Sequence, residues 1–220
     1  MKNLVAAILG AALLALTQAA PAQQSREQEK RDFTEGRDYQ VLSQPQPVSS
    51  GERIEVLEFF YYGCPVCYEA EPYVSRWLLK AGPSVAIHRV PAVFTESSES
   101  FARTFYALSA LGQIARLHWP IYDNHHFDGK QLNVEKNIVE WVSHNGVDHD
   151  RFVELWHSDR IAAQVAAARA ALATYDVKAV PSFVIDGKYL TTSRMTGNVK
   201  SMMDVVDYLV ERAAAERQKK

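Results

Sequence analysis

Cysteine is almost absent from this chain of 220 residues, which contains only Cys64 and Cys67. A bond between them would close a loop too short to constrain the unfolded chain much, so a structural staple is the weaker interpretation of the pair. Any sulfur chemistry must take place here. A zinc site needs about two further ligands, and no second cysteine pair is present, so we predict neither a metal nor a cofactor.

A strong excess of either charge is also missing. The formal net charge is −2 at pH 7, and the short basic C-terminus, residues 217–220, is typical of a solvated helix end. We therefore predict no nucleic-acid partner. Hydrophobic residues make up 47% of the chain, which is enough for one globular domain or for a domain with an insertion.

The long apolar run without charge lies at the N-terminus. It covers residues 4–16, after a short basic start and before residues 20–22, which are small residues of the kind that a signal peptidase reads. The run is too short for a typical membrane span. We predict a cleaved signal peptide at 1–22 and export from the cytoplasm, the alternative being an uncleaved anchor. Disulfides persist where exported proteins reside.

The rest of the chain divides into a leader and three parts. Residues 23–37 are polar and predict a mobile leader. Residues 38–96 carry strand patterns around one helix, and residues 97–175 follow helical periodicity. Residues 176–220 return to strands, with Asp186-Gly187 as the turn of a hairpin, and end in a helix.

The cysteine pair follows a buried-strand pattern and opens the next helix. Pro65 suits the first helical turn, where its missing N–H costs nothing. The Cys64 sulfur would then lie near unpaired backbone N–H groups and the positive end of the helix dipole, which stabilise a thiolate. Cys67 is one turn further along and should be less exposed. We predict that Cys64 meets external thiols and that Cys67 closes or resolves the bond.

Two other features predict neighbours of the pair. Glu58 lies inside the strand, and because central parallel strands are buried on both faces it would be an acid in the core. Such a carboxylate is costly unless it is paired or protonated; the alternative is an edge or a bend where Glu58 reaches water. Pro181, just before a later strand, indicates a tight turn with either a trans or a cis bond after Val180.

Three segments together resemble the exported DsbA family of thioredoxin-fold thiol-disulfide oxidoreductases. They are residues 36–42, 56–67 and 180–189, in the order of that family. The resemblance extends from residue 36 to the C-terminus. It implies an α/β thioredoxin fold with an inserted all-helical domain, which corresponds to residues 97–175.

The resemblance also implies roles for single residues. The proline matching Pro181 is cis in the family and lies beside the dithiol, and Val180 would offer its backbone to a bound peptide. Glu58 resembles the buried acid beneath the dithiol, from where it could pass protons to Cys67. The other residues predicted to bind substrate are Tyr62, Pro65 and Val66.

The chain departs from the family at two positions. Well-known members carry histidine between the cysteines where this chain has Val66. Valine cannot add positive charge near the thiolate, so we expect a weaker oxidant. The lysine that pairs with the buried acid in some members is replaced by Ile87, which leaves His88 or Arg89 as a substitute.

The resemblance implies a dithiol oxidase, and we expect a monomer. It would donate its disulfide to reduced, partly unfolded client polypeptides through a mixed disulfide on Cys64. A DsbB-like quinone-linked membrane oxidase would then restore the disulfide. Two alternatives stay open, namely a disulfide reductase or isomerase, and a non-catalytic peptide-binding chaperone with an inert disulfide.

Overall fold

The computed structural model describes residues 33–219. The predicted signal peptide at 1–22 and residues 23–32 of the predicted leader lie outside the described residues. Within residues 33–219, no helix combines the length and the apolar composition that crossing a membrane requires.

The last residues of the predicted leader belong to the fold. The ring of Phe33 packs edge-on against Tyr208 with 5.4 Å between centroids. The backbone N–H of Thr34 donates to the Asp38 carboxylate at 2.8 Å. The prediction of a mobile leader is therefore wrong for residues 33–37, because the single aromatic ring of Phe33 anchors a segment whose average composition is polar.

A five-stranded mixed sheet forms the centre of the molecule. In chain order the strands are β1 Gln40–Val41, β2 Ile54–Phe60, β3 Val85–Pro91, β4 Ser182–Ile185 and β5 Tyr189–Thr192. Their spatial order is β1-β5-β4-β2-β3. Strand β2 runs parallel to β3 and antiparallel to β4. Strand β2 has a partner strand on each edge and a hydrophobic core on each face, and all seven of its residues are buried.

The helices surround this sheet. They are α1 Pro65–Ala81, α2 Glu96–Ala110, α3 Ile114–His126, α4 Glu135–His144, α5 His149–His157, α6 Asp159–Thr174, α7 Ser193–Thr196 and α8 Val199–Arg217. Helices α1 and α8 pack on one face of the sheet, and α6 contributes to the core on the other face. Helices α2 to α6 fill most of the segment predicted to be helical, whose status as a separate inserted domain stays a prediction.

Side chains of β2 point alternately to two hydrophobic cores, and the last residue of the strand belongs to a third core. Val56 packs toward α1 and α8, whereas Leu57 and Phe59 pack toward α6. Phe60, at the end of the strand, belongs to the core formed by the helices that follow β3, and Cys67 joins that same core. The dithiol therefore lies where the sheet meets the helical segment.

The hairpin between β4 and β5 forms where the sequence predicts it. Asp186 and Gly187 have φ of 53° and 63°, and the N–H of Lys188 donates to the Ile185 carbonyl at 3.0 Å. Positive φ at both central residues matches the twist of the strands that they join. Gly187 also lies so close to the backbone of Gln46 that a Cβ would clash there.

Candidate active site

The first cysteine caps the N-terminus of α1. Cys64 is the N-cap residue, with extended backbone angles, and its sulfur accepts a hydrogen bond from the backbone N–H of Cys67 at 3.4 Å. Pro65 follows in the first turn, as its fixed φ favours. The sulfur of Cys64 therefore lies at the positive end of the helix.

The two thiols have different environments. Both are free, Cys64 being partly exposed and Cys67 only 2% exposed. The hydrogen bond from the Cys67 thiol, helped by backbone N–H groups, lowers the pKa of Cys64 from 9.0 to about 6 despite partial burial. Burial raises the pKa of Cys67 well above 9.0. At neutral pH the pair thus holds an accessible thiolate beside a buried thiol.

A cis proline lies beside the exposed thiol. The Val180–Pro181 peptide bond is cis, and the Cys64 Sγ lies 3.6 Å from the Val180 carbonyl oxygen. A groove of about 380 Å³ runs along this edge. Residues that line the groove include Val66, Glu69, Val180, Pro181 and Arg194. Four residues singled out from the sequence, namely Cys64, Val66, Val180 and Pro181, therefore lie together.

Tyr62 occupies a different place from the one predicted. Pro65 and Val66 are exposed, but Tyr62 is fully buried. Its hydroxyl lies 2.6 Å from Nδ1 of His118, and its ring packs against Tyr122 with 4.8 Å between centroids. The prediction that Tyr62 belongs to a peptide-binding surface is wrong, because the chain turns into the helical core directly after β2.

Glu58 is an acid in the core with a cation as its partner. It is 3% exposed, so the alternative that it reaches water is wrong. Nε of Arg89 donates to its Oε2 at 2.9 Å. The parallel register of β2 and β3 places residue 58 opposite residue 89. Of the two residues considered as a partner for Glu58, Arg89 and not His88 therefore makes the contact.

A second buried acid, Glu71 of α1, shares the same arginine. Nη2 of Arg89 donates to Oε1 of Glu71 at 2.8 Å, and the Ser75 hydroxyl donates to that oxygen at 3.1 Å. Nε2 of His118, on α3, lies 3.3 Å from the other oxygen of Glu71. The sequence analysis missed Glu71 and His118. A signal for Glu71 was present, because it lies four residues after Cys67 on the buried face of α1.

The two buried carboxyl groups differ in their protonation. Burial raises the pKa of Glu58 to about 7, although Arg89 opposes this change. Burial acts on Glu71 as well, but the polar contact with His118 and the charge of Arg89 outweigh it and lower the pKa of Glu71. Glu58 therefore exchanges a proton near neutral pH, and its charge contributes to the raised pKa of Cys67. Among residues 33–219, no cluster of ligating side chains could hold a metal ion.

The fold and the site together define a thioredoxin-like protein with a dithiol at the start of the helix that follows its central strand. Residues 55–209 match the family model described as the DSBA-like thioredoxin domain. The chain belongs to this DsbA family, which confirms both the family and the fold class predicted from the sequence.

Curated relatives and solved structures extend over nearly the whole chain. The Thiol:disulfide interchange protein DsbA of Azotobacter vinelandii is 33% identical over 93% of this chain and 95% of its own. The protein of that name from Burkholderia cepacia is also 33% identical, over 96% and 97% respectively. The crystal structure of Pseudomonas aeruginosa DsbA is similar with a TM-score of 0.80 and 31% identity, over 84% of this chain and 97% of that one.

Proposed function

We propose that this protein is an exported thiol:disulfide interchange enzyme that donates a Cys64–Cys67 disulfide to reduced polypeptides. The observation that carries the proposal is the difference between the two thiols. Cys64 is accessible and has its pKa lowered to about 6, whereas Cys67 is buried and has its pKa raised. The names of the curated relatives support the same activity.

The transfer takes place in two exchanges. A client thiolate attacks Sγ of Cys64 in the oxidised enzyme, a mixed disulfide forms, and Cys67 leaves as a thiolate that takes up a proton. A second client thiolate then attacks the client sulfur of the mixed disulfide and expels Cys64 as a thiolate. The client thereby loses two electrons to the enzyme, whose disulfide becomes a dithiol. The low pKa of Cys64 makes it a good leaving group and stabilises the reduced product.

Glu58 supplies the proton for the buried sulfur. Cys67 is buried, so a thiolate formed there is costly until it is neutralised. Glu58 has a pKa of about 7 because of burial, so near neutral pH it holds a proton in part of the molecules and can release it.

The groove beside Pro181 holds the client backbone. The Val180 carbonyl next to Cys64 is an acceptor for a client N–H, and Val66 gives the groove an exposed apolar rim. Such a site recognises extended backbone with little demand on side chains, which suits unfolded clients of varied sequence.

Export and reoxidation complete the proposal. The predicted signal peptide at 1–22 would deliver the protein to the periplasm, where disulfides persist. Each turnover leaves the enzyme with two extra electrons, so an oxidant must remove them. A DsbB-like quinone-linked membrane protein is the partner that family membership favours, and we expect the enzyme to act as a monomer.

Trapping of the mixed disulfide tests this function. The Cys67→Ala variant cannot form the internal disulfide, but its Cys64 thiolate can attack a disulfide of a client and displace one client thiolate. The client then stays joined to Cys64, because the internal thiol that would release it is absent. We expect this variant to accumulate client adducts when it is expressed with its signal peptide, and the matched Cys64→Ala variant to accumulate none. Failure to recover adducts from Cys67→Ala would contradict the mechanism and favour a chaperone with an inert disulfide.

A further inference from the structure

A histidine from the helical segment, His118 on α3, contacts the buried acids. Its side chain is 5% exposed, and its Nδ1 lies 2.6 Å from the Tyr62 hydroxyl. Its Nε2 lies 3.3 Å from Oε2 of Glu71 and makes no well-aligned hydrogen bond with any residue that the structure describes. Buried polar atoms normally have a partner, and Glu71 is the acceptor nearest to this one.

The contact with Tyr62 sets the position of the proton on His118. Burial raises the pKa of Tyr62 well above 10.0, so its hydroxyl keeps its proton and can donate to Nδ1. A proton on Nδ1 would instead point the Nε2 lone pair at the Glu71 carboxylate, which is repulsive. Burial also lowers the pKa of His118. The ring is therefore neutral and carries its proton on Nε2, facing Glu71.

Arg89 can balance the charge of only one of two carboxylates. Within residues 33–219, Glu58 accepts one hydrogen bond, from Nε of Arg89. Glu71 accepts hydrogen bonds from Arg89 and Ser75 and also faces His118. Because hydrogen bonds to the charged form favour ionisation, the acid with more donors stays ionised and the other holds the proton.

We propose that His118 is a positioning residue that keeps Glu71 ionised and thereby leaves the exchangeable proton on Glu58. The helical segment thus determines which acid beneath the dithiol carries a proton. The value of this arrangement for catalysis rests on the proposed function, in which Glu58 supplies a proton to Cys67. The location of the proton does not depend on that function.

The titratable groups around the two acids come from β3, α1 and α3 and from the turn after β2. They are Tyr62, Cys67, Arg89, His118 and Tyr122. Of these, Arg89 is cationic and contacts both acids, and His118 contacts only Glu71.

The test is a titration of each carboxyl carbon by NMR in the reduced protein, with the resonances assigned from Glu58→Gln and Glu71→Gln. Because the two acids interact, the proton taken up near pH 7 belongs to the pair, and a substitution changes where it resides. In the unsubstituted protein, we expect the carboxyl carbon of Glu58 to show most of the chemical-shift change near pH 7. In His118→Leu, we expect about half of that chemical-shift change to appear on Glu71 instead.

Two further variants of His118 separate its contacts. The amide of His118→Gln can donate to Glu71 from near the position of Nε2, so we expect the change to stay on Glu58. The shorter His118→Asn can accept from Tyr62 but cannot reach Glu71, and we expect it to behave like the leucine variant. Ser75 is exposed, so Ser75→Ala removes one hydrogen-bond donor from Glu71 without disturbing the core. This variant should move the proton toward Glu71, as His118→Leu does, but to a smaller extent. The proposal is overturned if the chemical-shift change near pH 7 stays on Glu58 in His118→Leu, His118→Asn and Ser75→Ala.

The pH dependence of thiol exchange separates this inference from the proposed function. In one outcome, the proton moves toward Glu71 in His118→Leu, but Glu58→Gln leaves the rate of thiol-disulfide exchange unchanged. That outcome supports the role of His118 and contradicts the role of Glu58 as a proton donor. An exchange rate that depends on Glu58, without redistribution in His118→Leu, overturns the inference alone.

Discussion

The low pKa of Cys64 has a direct consequence for the stability of the reduced protein. A thiol whose pKa falls from 9.0 to about 6 on folding stabilises the fold above its unfolded pKa. That stabilisation is lost as the pH falls through about 6. Between pH 5.5 and 8.5 the linkage amounts to about 3 kcal/mol. Cys64 is partly exposed, and solvent screening reduces the value we expect to about 1.5 kcal/mol.

Chemical denaturation at the two pH values measures this contribution. The reduced protein is compared with Cys64→Ser, which keeps an N-cap side chain but has no thiol to ionise in this range. The difference between the two proteins in free energy of unfolding should grow by about 1.5 kcal/mol from pH 5.5 to 8.5. A difference that stays constant, or that shrinks with rising pH, refutes the reasoning that α1 and Cys67 stabilise a thiolate.

Two further substitutions test the buried charges. Glu58→Gln removes the titrating proton, so the pH dependence of thiol exchange near pH 7 should disappear in stopped-flow measurements. The pKa of Cys64 should still control the more acidic part of the pH profile. An unchanged profile would contradict the role of Glu58. Arg89→Leu leaves Glu58 and Glu71 without their cation and should lower the free energy of unfolding at pH 7 by about 3 kcal/mol. Part of that loss should return at pH 5, where the unpaired acids are protonated, and a loss that is equal at both pH values would be inconsistent with this pairing.

Local signals account for what the sequence predicts correctly. Pro65 after a buried strand is enough to place Cys64 at a helix N-terminus and Cys67 one turn inside. The hairpin follows from Asp186-Gly187, because few residue pairs adopt positive φ in succession. These features depend on neighbours within a few positions, so they need no knowledge of the tertiary fold.

The errors, the omissions and the alternatives left open occur where tertiary contacts decide the outcome. The choice of Arg89 depends on the register of two parallel strands, which are joined by a long connection that includes α1. Tyr62 follows the last residue of β2, so alternation along the strand no longer predicts its side. His118 contacts the site only because α3 packs beside α1, a contact between residues far apart in the chain. The effect of Val66 on oxidant strength stays a prediction.

Equilibration of the dithiol with a glutathione redox buffer tests the central claim most directly. We predict that the Cys64–Cys67 disulfide is reduced by glutathione readily, because ionisation of Cys64 stabilises the dithiol form. The reduction potential should become less oxidising in a variant that raises the pKa of Cys64. A dithiol that stays fully oxidised in strongly reducing glutathione would contradict the account, because such a disulfide would be inert or would belong to a reductase.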